Sequence, residues 1–410
     1  MKTLASIFQL SAILVLVSGC GNGTKNQESG QAQLAELTFK SRLISDTALY
    51  WWAHCPADLT GDGLTDLVFI NQNSSGGYLA YLEGRIGSEL WEEVMIAESP
   101  PSGGLFASGD MECGDVDGDG DIDVLGIKHP GEWQDAGAEA EIYWYENPDW
   151  KPHLVGAVPD AVKDVSLTDF NKDGLLDMAV LTFDEASLSV FIHEPGKAWD
   201  RVFYVEQFGN LHEGMGVGDF DGDGNTDIVA TGHIFYHPGA DLTENWEGEN
   251  MDEKWNNQTG DWSRNGTKTF VRDIDGDGSS EIFIAQSERA GYPLSMYSRT
   301  GEGSWKEQVI LDSIPACHTL QVFDFDLDGA YDILAGVNLG RAVNLGFDSY
   351  EVKVLLSRED FTSFEHKILS TKGIYNGQAA DYDGDGDVDI FRYPHHEAID
   401  FYLLENKIID

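Results

Sequence analysis

The sequence predicts an all-β chain built from copies of one unit, on three observations. A ten-residue acidic stretch recurs seven times, beginning at Asp58, Asp115, Asp169, Asp219, Asp273, Asp324 and Asp381, at intervals of 50 to 57 residues. A fixed period of that size marks a repeat architecture. Between the copies, short runs of β-branched and aromatic residues are bounded by Gly, Pro, Asn or Asp, the punctuation of strands and turns. No amphipathic run of ten or more residues reads as a helix.

The stretch is best described by position. Position one is Asp in every copy. Position three is Thr60, Asp117, Asn171, Asp221, Asp275, Asp326 and Asp383. Position five is Asp62, Asp119, Asp173, Asp223, Asp277, Asp328 and Asp385. Position six is always Gly, and position nine is Asp66, Asp123, Asp177, Asp227, Glu281, Asp332 and Asp389. Hard oxygens at alternate positions around a glycine turn make a calcium site, with a backbone carbonyl at position seven as a further donor. Mg²⁺, smaller and slower to shed water, fits such a cage less well. An EF-hand would need a Glu at position twelve and flanking helices; Gly126 and Ala230 stand there, in strand-like sequence. The plain alternative, an acidic turn in solvent, suits one loop better than seven in register. Up to seven calcium ions are expected, bound more weakly where Thr60 and Asn171 replace an acid.

These residues resemble the FG-GAP, or VCBS, repeat family of calcium-loop propellers, which includes the integrin α-chain head. The resemblance covers residues 36–410. It implies a seven-bladed β-propeller, each repeat one four-stranded blade, with the calcium loop between its first and second strands. The sequence departs from the pattern at Thr60, Asn171 and Glu281, and at Lys172 and Leu327, where the other copies have Gly at position four.

From the N-terminus onward, Lys2 and the apolar run Leu4–Val17 form a targeting segment too short to span a bilayer comfortably. Val17-Ser18-Gly19-Cys20 resembles a bacterial lipobox. Residues 1–19 are then a lipoprotein signal peptide, Cys20 the lipidated residue and 20–35 a flexible tether; a plain secretory signal is the alternative. Gly21 is not the Asp that tends to retain lipoproteins in the inner membrane, so the expected place is the outer membrane or cell surface, held by the lipid alone. Leu37–Ile44 has the look of an outer strand missing from the seventh repeat, which would close the ring and protect sheet edges. Cys55 and Cys113, just ahead of their loops, are either disulfide-bonded or free thiols. His237–Trp262, with Trp246 and Trp255, lacks strand alternation and reads as a long loop over one face or a surface insertion.

Composition narrows the partners. The formal charge is −47, and 26 of the 72 acids sit at loop positions. Seven Ca²⁺ would bring the charge to about −33. Nucleic acid is excluded as a partner, because phosphate binding needs a basic face. A monomer is expected.

The ends of the inner strands away from the loops should converge. Six residues before each loop stand Trp52, Gly109, Lys163, Glu213, Thr267, His318 and Tyr375; fourteen after each loop start stand Gln72, His129, Phe183, His233, Ser287, Asn338 and His395. Trp51, His212, His237, Arg392 and His396 fall nearby. The candidate ligand-binding residues are Trp52, His129, Lys163, Glu213, His233, His318, Tyr375, Arg392 and His395. Aromatic faces stack on sugar rings and charged groups hold hydroxyls or carboxylates. Three readings stay open: a carbohydrate- or protein-binding surface, a polysaccharide lyase using Tyr375 with His129 or His318, or a mouth that is polar only because water fills it. No nucleophile elbow, phosphate loop or zinc-protease motif decides among them.

Overall fold

In every repeat the acidic stretch reverses the chain between two antiparallel strands. Its sixth residue has φ between +83° and +101° in all seven copies, a conformation natural only to glycine. The fourth position is also left-handed. Lys172 (φ +61°) and Leu327 (φ +54°) adopt it without being glycine, so these two loops carry local backbone strain.

The computed structural model describes residues 36–409 except 73–76, 88, 130, 132–138, 184–186, 207, 209–212, 257–265, 302 and 359–360. Among the described residues there are seven four-stranded antiparallel sheets, the blades of a β-propeller. Blade three shows the plan, with strands Val162–Thr168, Asp177–Thr182, Ser187–Ile192 and Asp200–Glu206 in sheet order. The second strands, such as Asp66–Ile70, Asp177–Thr182 and Asp332–Val337, are buried along their whole length. They read as apolar runs rather than alternating ones because neighbouring blades cover both faces. One such layer packs Val68, Ile70 and Leu79 of blade one against Phe106, Val124 and Tyr145 of blade two.

Blade seven is completed from the other end of the chain. Its strands are Gln378–Ala380, Asp389–Arg392 and Phe401–Asn406, and the fourth is Phe39–Ser45, paired antiparallel with Phe39 opposite Asn406 and Leu43 opposite Tyr402. This is the closing strand expected for Leu37–Ile44. Arg42 fastens the seam to blade one: its guanidinium lies 3.0 Å from Glu405 Oε1, donates to Arg85 O at 2.7 Å, and covers the rings of Tyr382 and Trp91.

The fourth repeat differs from expectation. The segment after His237 is not draped over a face. It supplies the blade's outer strand, Gly248–Asn250, and a short helix, Glu253–Asn256. Trp246 packs on Phe203 and Phe170, and Trp255, fully buried, donates Nε1–H to Tyr297 Oη at 3.0 Å. The strand was illegible because it is three residues long and the core positions fall on tryptophans outside it. Residues 257–262 of that segment, the whole leader with Cys20, and His212 lie outside the described residues. Cys55, Cys113 and Cys317 are free thiols; Cys113 beside Cys55, and burial, push the Cys55 thiol well above the ordinary value.

Candidate functional site

Two sites stand at opposite ends of the inner strands. The first is the ring of acidic loops. In the second copy, Asp115 is held by its own turn: Gly118 N–H donates to Oδ1 at 2.8 Å and Gly120 N–H to Oδ2 at 3.1 Å. Position nine does something the sequence did not disclose. Both oxygens of Asp123 accept backbone N–H groups, from Val116 at 3.0 Å and from Asn147, beyond the third strand, at 2.9 Å. The same double acceptance recurs at Asp66, Asp177, Asp227, Asp332 and Asp389. This carboxylate pins the loop to the end of the third strand of its own blade. Burial raises it to about 7 in Asp123, Asp227, Asp332 and Asp389 and in Glu281, and to about 6 in Asp66 and Asp177.

In four blades the residue that caps position nine also clasps the preceding blade. Asn147 Nδ2 donates to Leu59 O at 2.8 Å, His193 Nδ1 to Val116 O at 3.1 Å, His237 Nε2 to Phe170 O at 3.1 Å and Asn406 Nδ2 to Phe325 O at 2.9 Å. His237 therefore belongs to the loop face and not to the opposite mouth. Variable hairpin lengths hide this clasp from any fixed sequence offset.

The loops bring their acids close enough to share an ion. One oxygen from each member of Asp115–Asp117–Asp123, Asp219–Asp221–Asp227, Asp273–Asp275–Glu281 and Asp324–Asp326–Asp332 lies within 4.8 Å of the others. Asp326 Oδ1 in the sixth loop and Asp387 Oδ1 in the seventh are buried without a hydrogen-bond partner. A buried carboxylate oxygen left unpaired is costly; Asp326 is at a ligand position, where a cation would relieve it, and Asp387 is at position seven.

The second site is a pocket of about 320 Å³ lined by Trp52, Gly109, Lys163, Phe183, Glu288, Asn338, Arg341, Asn344, Tyr375 and His396. These residues sit at the ends of inner strands away from the acidic loops. Tyr375 stacks on His318 with centroids 4.7 Å apart, and the His396 ring lies 5.6 Å from Tyr375 and 6.1 Å from Trp52. Trp52 Nε1 donates to His396 O at 3.1 Å, which fixes the indole edge. Below them the charges are paired. Lys163 Nζ lies 2.7 Å from Glu213 Oε2, His318 Nε2 lies 2.8 Å from Glu288 Oε1, and Arg341 Nε lies 3.0 Å from Glu288 Oε2. Ser287 Oγ also donates to Glu213. Burial opposes both charges of the Lys163–Glu213 pair, yet each partner holds the other ionised: the ammonium stays above its ordinary value and the carboxyl below. Burial pushes the Tyr375 phenol above the tyrosine range.

Of the nine candidates, the structure gathers five here: Trp52, Lys163 and Tyr375 in the wall, Glu213 and His318 beneath it. The other four lie apart from the wall. Arg392 is buried within blade seven, its Nε donating to Gly373 O at 2.8 Å and its guanidinium over Tyr402; burial lowers it to about 10. His129 continues blade two, its N–H donating to Leu105 O at 2.9 Å. His233 meets the Phe208 ring, and the His395 ring accepts from Glu397 N–H at 3.3 Å. The sequence reading missed Glu288 and Arg341. Glu288 is one place beyond the register used. Arg341 sits on a short helix, Leu339–Asn344, capped by Asn338, which interrupts the sixth repeat.

A family model described as FG-GAP-like repeat matches residues 115–180, 169–230 and 273–335. Among curated proteins, none matches the chain. Solved structures of similar shape include BBS1N in complex with ARL6DN, in a mercury-soaked crystal (11% identity, TM-score 0.51) and a lead-soaked one (10%, 0.52), each covering 90% of this chain and 97% of that one. The V. cholerae biofilm matrix protein Bap1 aligns at 11% identity and TM-score 0.49, over 90% of this chain and 91% of its own. At its identity the likeness to BBS1N is one of fold.

Proposed function

Since the chain is a seven-bladed propeller of FG-GAP-like repeats, we propose that it is a calcium-braced binding protein whose pocket takes a carbohydrate. The calcium part rests on the loop chemistry. Every side-chain donor gathered there is a hard oxygen, and in the sixth loop a buried carboxylate oxygen at a ligand position, Asp326 Oδ1, is unmet. That set fits Ca²⁺ rather than a thiolate- or imidazole-seeking metal. Asp, Asn, Thr and Glu side chains at positions one, three, five and nine would hold the ion; bound, it supplies charge neutralisation and loop rigidity.

The ligand part rests on one observation: an aromatic-walled pocket whose charged groups are already paired with one another. Trp52, partly exposed, offers a face for a sugar ring, with the largely buried Tyr375 and Phe183 rings in the wall beside it, and about 320 Å³ lies within the range of small-ligand sites. With Lys163 committed to Glu213 and Arg341 to Glu288, the wall is close to charge-balanced. It suits an uncharged saccharide better than a uronate, which a strongly acidic protein also repels at longer range. The same pairing weakens the lyase reading, since elimination on a uronate asks Lys163 or Arg392 to neutralise a carboxylate.

Calorimetry against paired neutral and carboxylated oligosaccharides tests this. Trp52→Ala is expected to weaken neutral binding by about tenfold or more, as loss of a stacked ring does. Tyr375→Phe should bind much as the wild type, because stacking survives. Release of an unsaturated product, abolished by Tyr375→Phe, would instead establish the lyase. If no saccharide binds, a protein ligand is the remaining reading; the neighbour BBS1N was solved with a protein bound.

The site of action is proposed from the leader. Cys20 carries lipid and holds the propeller at the envelope surface through residues 20–35. Labelling with a palmitate analogue should mark the wild type and not Cys20→Ser. A soluble, unlabelled wild type would return the segment to a plain signal peptide.

A further inference from the structure

Counting acids ranks the sixth loop with the strongest, since Asp324, Asp326, Asp328 and Asp332 are all present. The structure adds a cation to that count. Arg358, last residue of the strand Val352–Arg358, places Nη2 2.9 Å from Asp326 Oδ2 and Nη1 3.2 Å from Asp328 Oδ2. These are positions three and five, so the guanidinium fork spans two ligand positions. It is anchored there: Nη1 donates to Ser357 O at 2.7 Å, and Ser357 N–H caps Asp332 Oδ1 at 2.8 Å. Glu365 stands further off, at 3.6 Å. By comparison, Arg299 approaches the fourth loop only at one acid, Asp221, and only to 4.0 Å.

We propose that Arg358 is a built-in counter-cation that makes the sixth loop the low-affinity calcium site of the ring, the last to fill and the first to empty. This rests on the calcium reading above. The loop remains a cation site: Asp326 is only 4% exposed, and its Oδ1, the oxygen not held by Arg358, has no partner. Its strength is altered in two ways. The guanidinium reduces the loop's formal charge from four negatives to three, matching the copies with Thr60 or Asn171. Unlike those neutral ligands, it also occupies one oxygen at each of two ligand positions, Asp326 Oδ2 and Asp328 Oδ2, which an entering ion must share with it or free from it. Arg358 meanwhile ties positions three and five together without an ion, so blade six keeps its loop shape when calcium is scarce.

The test uses the full chain, with calcium titrated against a chromophoric chelator and bound ions counted by native mass spectrometry. Arg358→Gln is expected to tighten one site by about tenfold or more, the effect of removing one nearby charge at partial screening, and to hold one more ion than the wild type at low free calcium. Adding Asp326→Ala to Arg358→Gln should remove that gained ion and so assign it to the sixth loop. Arg358→Lys, which keeps the charge and loses the fork, should load like the wild type; circular dichroism checks that each variant is folded. Affinities unchanged or weakened in Arg358→Gln overturn the proposal while leaving the calcium reading intact. A wild type that takes up no calcium overturns both.

Discussion

Stripping calcium from the purified protein is expected to lower its Tm by roughly 15–30 °C, with calcium restoring it better than magnesium. Each site held at about 100 times its Kd contributes about 2.7 kcal/mol to the folded state. At about 2.1 cal/mol/K per residue, the Tm of a propeller of about 375 residues moves by about 1.3 °C per kcal/mol, so most of the seven loops must be loaded for the change. Without the ion, Asp273, Asp275 and Glu281 crowd within 4.8 Å of one another, a repulsion the unfolded chain relieves. The pH dependence follows from burial of position nine. Its carboxyls lie at about 6 to 7 in the folded, ion-free ring and near 4 when unfolded. Above pH 7 both states are ionised and the folded one bears the full desolvation cost. Between about pH 7 and 4 the folded state holds protons that the unfolded state releases, so the chelated protein gains stability as pH falls from 8 to 5.5. Protons compete with calcium over the same window, so the calcium-dependent gain should shrink. Melting curves with chelator and with calcium at both pH values check this; a gap that stays constant on acidification would exclude carboxylate ligation.

Removing residues 36–45 is expected to cost more still, leaving no soluble folded monomer. The segment contributes the fourth strand of blade seven and carries Leu37, Arg42 and Ile44, all buried. Its loss uncovers the edge of Phe401–Asn406, a run of unpaired backbone groups open to another chain. It also releases the seam at Arg42 and the hydrogen bond from Trp91 N–H to Ile44 O at 2.9 Å. Size-exclusion chromatography and circular dichroism of the truncated protein provide the readout. A monomeric, cooperatively melting product would show that the ring holds without its closing strand.

Much of the fold was legible because a repeat states each lesson several times. The loop ends, the second strands and the closing strand all follow from the acidic period and the short apolar runs around it. Blade four was not legible: its outer strand is three residues long, and Trp246 and Trp255 enter the core from an irregular segment and a four-residue helix. The pocket was half legible for a related reason. Fixed offsets found Trp52, Lys163, Glu213, His318 and Tyr375, which lie on or beside regular inner strands. They also drew in His129, His233 and His395, which lie apart from the pocket wall, and they missed Arg341, brought in by an inserted helix. The second role of position nine was beyond reach as well, since a sequence shows which carboxylate is present but not which amides surround it.

The side-chain clasps between blades have a sense of rotation. Asn147, His193, His237 and Asn406 each reach back to the loop of the blade before, and in none of these four does the bond run forward. Loosening the end of the third strand of one blade therefore frees the turn of its predecessor and leaves its successor's clasp in place. Disturbance around this ring propagates by handedness: amide exchange provoked in blade three should spread toward blade two sooner than toward blade four, although the two neighbours are equally near.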